Sequence, residues 1–228
     1  MTLTRCAIVL LLLLKAAANT SVQADAGEPS NRQYLLPGVV NSEALIAPPP
    51  TVGSPEFEKQ MAIVLWLQKT RTAEQVAFAE LALDVERFAP LLGNALFAVD
   101  AVALKSVIDS AVDEVRQEYD AIKSTYDYPR PFQVNDAVDP VGDARPVASY
   151  PSGHAIRAIV YARLLSEVFP DRRDALLELA YQVGFGRVIA GVHYPVDVLS
   201  GQILGNAYAD AIVNNSAFIE MISRIRGD

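Results

Sequence analysis

An all-α domain is what the sequence predicts, from three observations. Apolar residues recur at helical spacing over most of the chain beyond residue 54, helix-start signals precede those stretches, and no stretch alternates apolar and polar residues as a half-buried strand would. With 228 residues there is room for one generous domain and its core. The expected organisation is a leader at residues 1–24 and a single compact helical bundle at 25–228 with an extended amino-terminal arm.

The leader comes first. Arg5 precedes an apolar run from Cys6 to Leu14, too short for a bilayer span of about 20 residues but suited to the core of a secretory signal. Val22 and Ala24 fit the small residues before a cleavage site, so the mature chain is expected to begin near Asp25 and to be exported. The lone cysteine, Cys6, leaves with the leader, so the mature protein relies on its core rather than on a disulfide. The full chain carries a net charge of −8, and loss of Arg5 and Lys15, with no acid removed, makes it −10. Such a charge favours solubility and argues against non-specific nucleic-acid binding. No later segment is long and apolar enough to span a membrane, so no membrane partner is expected after cleavage.

Residues 25–53 contain Pro37-Gly38 and Pro48-Pro49-Pro50 without a steady period, as expected of an arm lying on the domain. Ser54-Pro55 is an N-cap followed by proline at the first helical position. Helices are expected at 55–69, 72–88, 99–123, 153–168, 172–190 and 196–213, with a short one at 216–225. The 99–123 segment aligns Ile108, Ala111, Val112, Val115, Tyr119 and Ile122 on one stripe. Between it and the next helix, Pro129, Pro131, Pro140 and Pro146 break helix repeatedly. A loop of that length inside a compact domain is often functional.

Three groups of residues carry chemistry. In the 172–190 helix, Leu176, Leu179, Ala180 and Val183 form an apolar stripe whose next turn is Arg187. A guanidinium stays charged and is costly to bury without an anion, so a negative group is expected inside: a buried Asp or Glu, or a ligand. Six residues on stands His193 and four further Asp197, just after Pro195, which can open the next helix. Asp197 at a first turn suits the helix dipole in any case. It can also accept a hydrogen bond from one ring nitrogen of His193, leaving the other nitrogen as a nucleophile.

Pro151-Ser152-Gly153-His154 precedes the apolar run that begins Ala155-Ile156. Ser152 is a natural N-cap, its default structural role. The same geometry points the Gly153 and His154 amides outward, where an oxyanion can sit beside the serine hydroxyl, with His154 placed to protonate a leaving oxygen. Finally, Lys123 ends one helix and Arg130-Pro131 follows; singly, these could be a dipole-compensating lysine and a solvated loop charge. Arg145-Pro146 repeats the dipeptide, but Val138 stands where the lysine would be, so it is set aside.

The order Lys123-x6-Arg130-Pro131, Pro151-Ser152-Gly153-His154, Arg187-x5-His193-x3-Asp197 resembles the three-part signature of the type-2 phosphatidic acid phosphatase and vanadium haloperoxidase superfamily. Within it, Leu45-Ile46-Ala47-Pro48-Pro49-Pro50-Thr51-Val52-Gly53-Ser54 and Phe132 after Arg130-Pro131 are similar to bacterial class A non-specific acid phosphatases. The resemblance covers most of residues 34–213. One position departs: family members commonly place serine before the third-motif arginine, where this chain has Gly186. Altered phosphate affinity, rather than inactivity, is the expectation.

The resemblance implies a secreted or periplasmic acid phosphatase acting on small phosphate monoesters. His193 would attack phosphorus, giving a phosphohistidine, while His154 protonates the departing oxygen and then activates water. Lys123, Arg130, Arg187, Ser152 and the Gly153 amide would hold the phosphoryl oxygens. No metal or other cofactor is implied, and vanadate is expected to bind as an inhibitor. A vanadium-dependent haloperoxidase would use the same cage with His193 as ligand, although such enzymes are typically much longer; a non-catalytic phosphate-binding protein has no need of both histidines and Asp197. Lipid phosphatases of the superfamily normally have several membrane spans. Gly201, Gly205 and Ala209, spaced by four, predict a close helix contact within or between chains, and a homo-oligomer is an open possibility.

Overall fold

The computed structural model describes residues 32–227. The expected signal segment, its cleavage site, Cys6 and the first residues of the arm lie outside the described residues. Within them the domain is all-α, as the sequence predicts. The main helices are α1 (Pro55–Thr70), α2 (Ala73–Glu80), α3 (Ala101–Tyr126), α4 (Gly153–Val168), α5 (Arg173–Ile189), α6 (Pro195–Val213) and α7 (Ser216–Arg226). Helical turns of three to six residues occur between them.

The central helix is α4, which is buried along most of its length and packs against α3, α5 and α6. Ile156, Ile159, Leu164 and Leu165 are fully buried in its core-facing surface, with Leu176 of α5 and Leu204 of α6 joining them. Helices α4 and α6 approach at backbone distance. A Cβ on Gly201 would stand 2.7 Å from the Ser152 carbonyl oxygen, and one on Gly205 would stand 2.8 Å from that of Ile156. The small-residue spacing is therefore explained by a contact within the chain, and glycine is what permits it.

Local signals set most boundaries. Ser54 caps α1 by accepting the Phe57 amide at 3.2 Å, and Pro55 occupies the first turn. Helix α3 runs three residues beyond the expected end and stops where Asp127 adopts left-handed backbone (φ 41°, ψ 42°). The expected 72–88 helix is a correction: it ends at Glu80, and a 3-10 turn follows at Val85–Phe88. Tertiary contacts account for the break. The α2 terminal carbonyls of Phe78 and Ala79 accept hydrogen bonds from Arg87 (2.8 Å) and Arg187 (3.3 Å), which satisfies a helix end that no glycine or proline announces.

The arm lies on the domain. The buried Glu114 carboxylate of α3 accepts the amides of Gln33, Tyr34 and Leu35 at 2.7, 2.9 and 2.6 Å. Farther along, the carbonyls of Ala47 and Pro50 accept the hydroxyls of Tyr150 (2.5 Å) and Tyr128 (2.7 Å), residues of the loop between α3 and α4.

Candidate active site

Four segments converge on a cleft of about 460 Å³: the carboxyl end of α3, the long α3–α4 loop, the start of α4, and the α5–α6 turn. Lys123, Arg130, Gly153, His154 and His193 line it. Ser152, Arg187 and Asp197 are buried beside it, with Arg187 near enough to His154 and His193 to act on both rings.

At the α5–α6 turn, Asp197 is the third residue of α6 and wholly buried. One carboxylate oxygen, Oδ2, lies 3.0 Å from His193 Nδ1 and accepts the Tyr194 amide at 2.9 Å and the Ser149 hydroxyl at 2.5 Å. These neighbours assign the ring proton to Nδ1, leaving an Nε2 lone pair. The other oxygen, Oδ1, is buried without a partner. Burial pushes the Asp197 carboxyl up to about 6, against the opposing pull of Ser149 and the Tyr194 amide. His193 is held well below the ordinary imidazole value, first by burial and then by the positive charges of Arg130, Lys123 and Arg187. A backbone bond from the Ser152 amide to the Asp197 carbonyl, 2.9 Å, ties the starts of α4 and α6 together.

The start of α4 is built as its sequence predicts. Ser152 caps it by accepting the Ala155 amide at 3.4 Å. Gly153 is required there, since a Cβ would stand 2.9 Å from the Tyr119 ring. His154 follows in the first turn, held well below its ordinary pKa by burial and by Arg187 and Arg157, with Asp143 opposing.

The cations are held by carbonyls rather than carboxylates. Lys123 Nζ donates to the Ala148 and Ser149 carbonyls at 2.7 and 3.2 Å. Arg130 donates to those of Val147 (2.8 Å) and Val192 (3.1 Å). Arg187 donates to those of Ala79 (3.3 Å) and Asp143 (3.1 Å), while its Nε is buried without a partner. The buried-acid alternative for Arg187 is therefore not what the structure shows. Burial, together with Arg130, lowers the pKa of both remaining cations, Lys123 to about 8 and Arg187 to about 10, a field that an anion would relieve.

Several site residues were not singled out by sequence. Ser149 bridges His193 and Asp197, its hydroxyl 3.3 Å from His193 Nδ1, yet it lies 44 residues from that histidine and carries no local signal. Arg145, set aside on spacing, lines the cleft and pairs with Asp143 through two 2.8 Å hydrogen bonds. Arg116, Tyr119 and Asp120 also line it. Their spacing from Lys123 along α3 was a usable signal, since residues three, four and seven apart share a helix face. Arg157 lines the cleft too, as do Ser124, Asp127, Asp143, Val147 and Ala148.

Gly186, which stands where the family's serine would, faces another surface. Its Cβ direction faces the Phe78 ring at 3.6 Å, and the residue lines a separate apolar groove with Phe78, Phe185 and Ile189. A hydroxyl there would not begin in the cation-lined cleft. Among the described residues, no group of three or more His, Cys, Asp or Glu side chains is placed to hold a metal ion, and no helix is long and apolar enough to cross a membrane.

The sequence model of the PAP2 superfamily matches residues 94–218, which include every cleft residue named above. Relatives are similar over most of their length. A non-specific acid phosphatase of Providencia stuartii is 28% identical over 200 residues, covering 83% of this chain and 81% of that protein. An acid phosphatase of Zymomonas mobilis is 27% identical over 220 residues (88% and 78%), and a non-specific acid phosphatase of Salmonella typhi is 25% identical over 198 (82% and 79%).

Proposed function

The chain belongs to the PAP2 superfamily, and from that premise we propose that it is an exported acid phosphatase that hydrolyses phosphate monoesters through a phosphohistidine, without a metal. The observation that carries this reading is the cleft itself. A neutral imidazole oriented by a buried carboxylate faces cations whose protein hydrogen bonds go to carbonyls.

A phosphate monoester places its phosphoryl oxygens among Lys123, Arg130, Arg187 and the free amides at the start of α4. His193 Nε2 attacks phosphorus in line; the P–N bond forms as the ester P–O bond breaks, and His154 gives its proton to the departing oxygen. Asp197 holds the Nδ1 proton and stabilises the positive charge that develops on His193. His154, now neutral, takes a proton from water, which attacks phosphorus and releases His193 and inorganic phosphate. The three fixed cations supply the charge stabilisation that metal ions supply elsewhere.

A substrate panel on the purified mature protein, with EDTA and with vanadate, tests this. Turnover of p-nitrophenyl phosphate that survives EDTA, is blocked by vanadate and leaves an acid-labile phosphoenzyme is the expected result. Dependence on added metal, or a phosphoenzyme that persists in His193→Ala, would overturn the mechanism.

A further inference from the structure

Arg157 is a cleft cation that the proposed chemistry does not use. It lies on α4 three residues after His154, so the two share a helix face about one turn apart. Its side chain is 9% exposed and reaches the cleft wall. Its guanidinium donates to the carbonyls of Gly153 (3.3 Å) and Leu83 (3.4 Å), stands beside the Tyr119 hydroxyl, and makes no hydrogen bond to a carboxylate. Two other arginines on this wall are neutralised: Arg145 by Asp143 at 2.8 Å, and Arg116 by Asp113 at 3.6 Å. Two carbonyl contacts alone need no permanent charge, whereas a buried guanidinium without an acid is costly and suits an anion.

The position of that charge relative to the reaction decides what it meets. In-line attack by His193 sends the leaving oxygen to the opposite side of phosphorus, toward His154. Arg157 stands one helical turn beyond His154, with Tyr119 alongside, on the side toward which such a leaving group would extend.

We propose that Arg157 makes this cleft selective for phosphate esters whose leaving group carries a second anionic group, a phosphate or a carboxylate, a few bonds from the ester oxygen. The inference rests on the phosphatase reading and deepens it. Arg157 acts in specificity: the second anion is bound through its guanidinium, while the reacting phosphoryl group keeps the cage already described.

Three esters with one three-carbon chain provide the test: 3-hydroxypropyl phosphate, propane-1,3-diyl bisphosphate and 3-(phosphonooxy)propanoate. The wild-type protein is expected to favour one or both doubly anionic esters over the hydroxypropyl ester by at least about tenfold in kcat/KM, mostly through KM, after allowing a statistical factor of two for the bisphosphate. Preference for both identifies a general anion site, and preference for the bisphosphate alone a phosphate site. In Arg157→Gln the ratios should collapse to within about twofold of one, and Arg157→Lys should keep part of them. Wild-type ratios near one, or ratios that survive in Arg157→Gln, would overturn the proposal; should that variant not fold, the wild-type ratios and Arg157→Lys still decide. If all three esters and p-nitrophenyl phosphate are inert, the phosphatase reading falls as well. Turnover without preference removes this inference alone.

Discussion

His154 and His193 are both driven toward the neutral form in the cleft, yet the proposed chemistry asks for one of each charge state. A bound phosphate would reconcile the two, because its negative charge would offset Arg187 and Arg157 around His154 and favour the protonated ring. Activity should fall as pH rises through the pKa of the acid, and that limb should lie at lower pH in kcat/KM, which reports free enzyme, than in kcat, which reports the complex. Coincident limbs, after correction for substrate ionisation, would remove the anion-linked shift. Division of labour is separately testable by leaving group. His154→Ala should cost alkyl phosphates about 100-fold or more and p-nitrophenyl phosphate far less, because a good leaving group needs little proton assistance. Equal losses would take His154 out of the acid role. Of the residues involved, both histidines and Asp197 were legible because short spacings bind them to helix starts. Ser149 was not, since a serine in a loop shows its partner only when the chain has folded.

The elements hold these groups through close backbone approach. Helix α6 lies against the first turns of α4 across Gly201 and Gly205, where added side chains would meet the carbonyl oxygens of Ser152 and Ile156. Gly205→Val is therefore expected to destabilise the fold by about 1–3 kcal/mol, read as a lower denaturation midpoint at unchanged slope. Retained stability would mean that the two helices can separate without cost. Gly201 is the more consequential position for function, since a side chain there would press on the Ser152 carbonyl at the start of α4, where the proposed phosphate site lies. Helix positions were legible wherever caps and period agreed, as in α1 and α4. The end of α2 was not, because its last carbonyls are satisfied by Arg87, folded back from the following turn, and by Arg187, more than a hundred residues away.

For the whole molecule, the cation-lined cleft makes stability depend on pH. The folded-state pKa values of both histidines lie below 6.5, so their contribution is full above that value and is lost as pH falls, where the unfolded chain binds protons that the folded one refuses. Asp197, raised to about 6, works in the opposite direction, its contribution being full below about 4 and lost as pH rises toward 6. Two histidines act against one aspartate, so the protein should lose stability as pH falls from about 6 to 5, read as a falling denaturation midpoint. Inorganic phosphate should raise Tm more at pH 5 than at pH 7.5, since it binds the folded state and favours its protonated histidines. A phosphate shift that is the same or smaller at pH 5 would argue against coupled protonation.

By itself the sequence determined the all-α class, most helix boundaries, and five of the residues that line the cleft: Lys123, Arg130, Gly153, His154 and His193. Each depends on residues within a few positions of one another: caps, apolar periods, and the spacing of His193 from Asp197. Tertiary structure decided how those groups are held and what surrounds them. It placed carbonyls rather than acids against the cations, put Ser149 on Asp197, turned Gly186 away from the cleft, and brought Arg157 to its wall. Those facts join segments far apart in the chain, and long-range pairing leaves no local pattern to read.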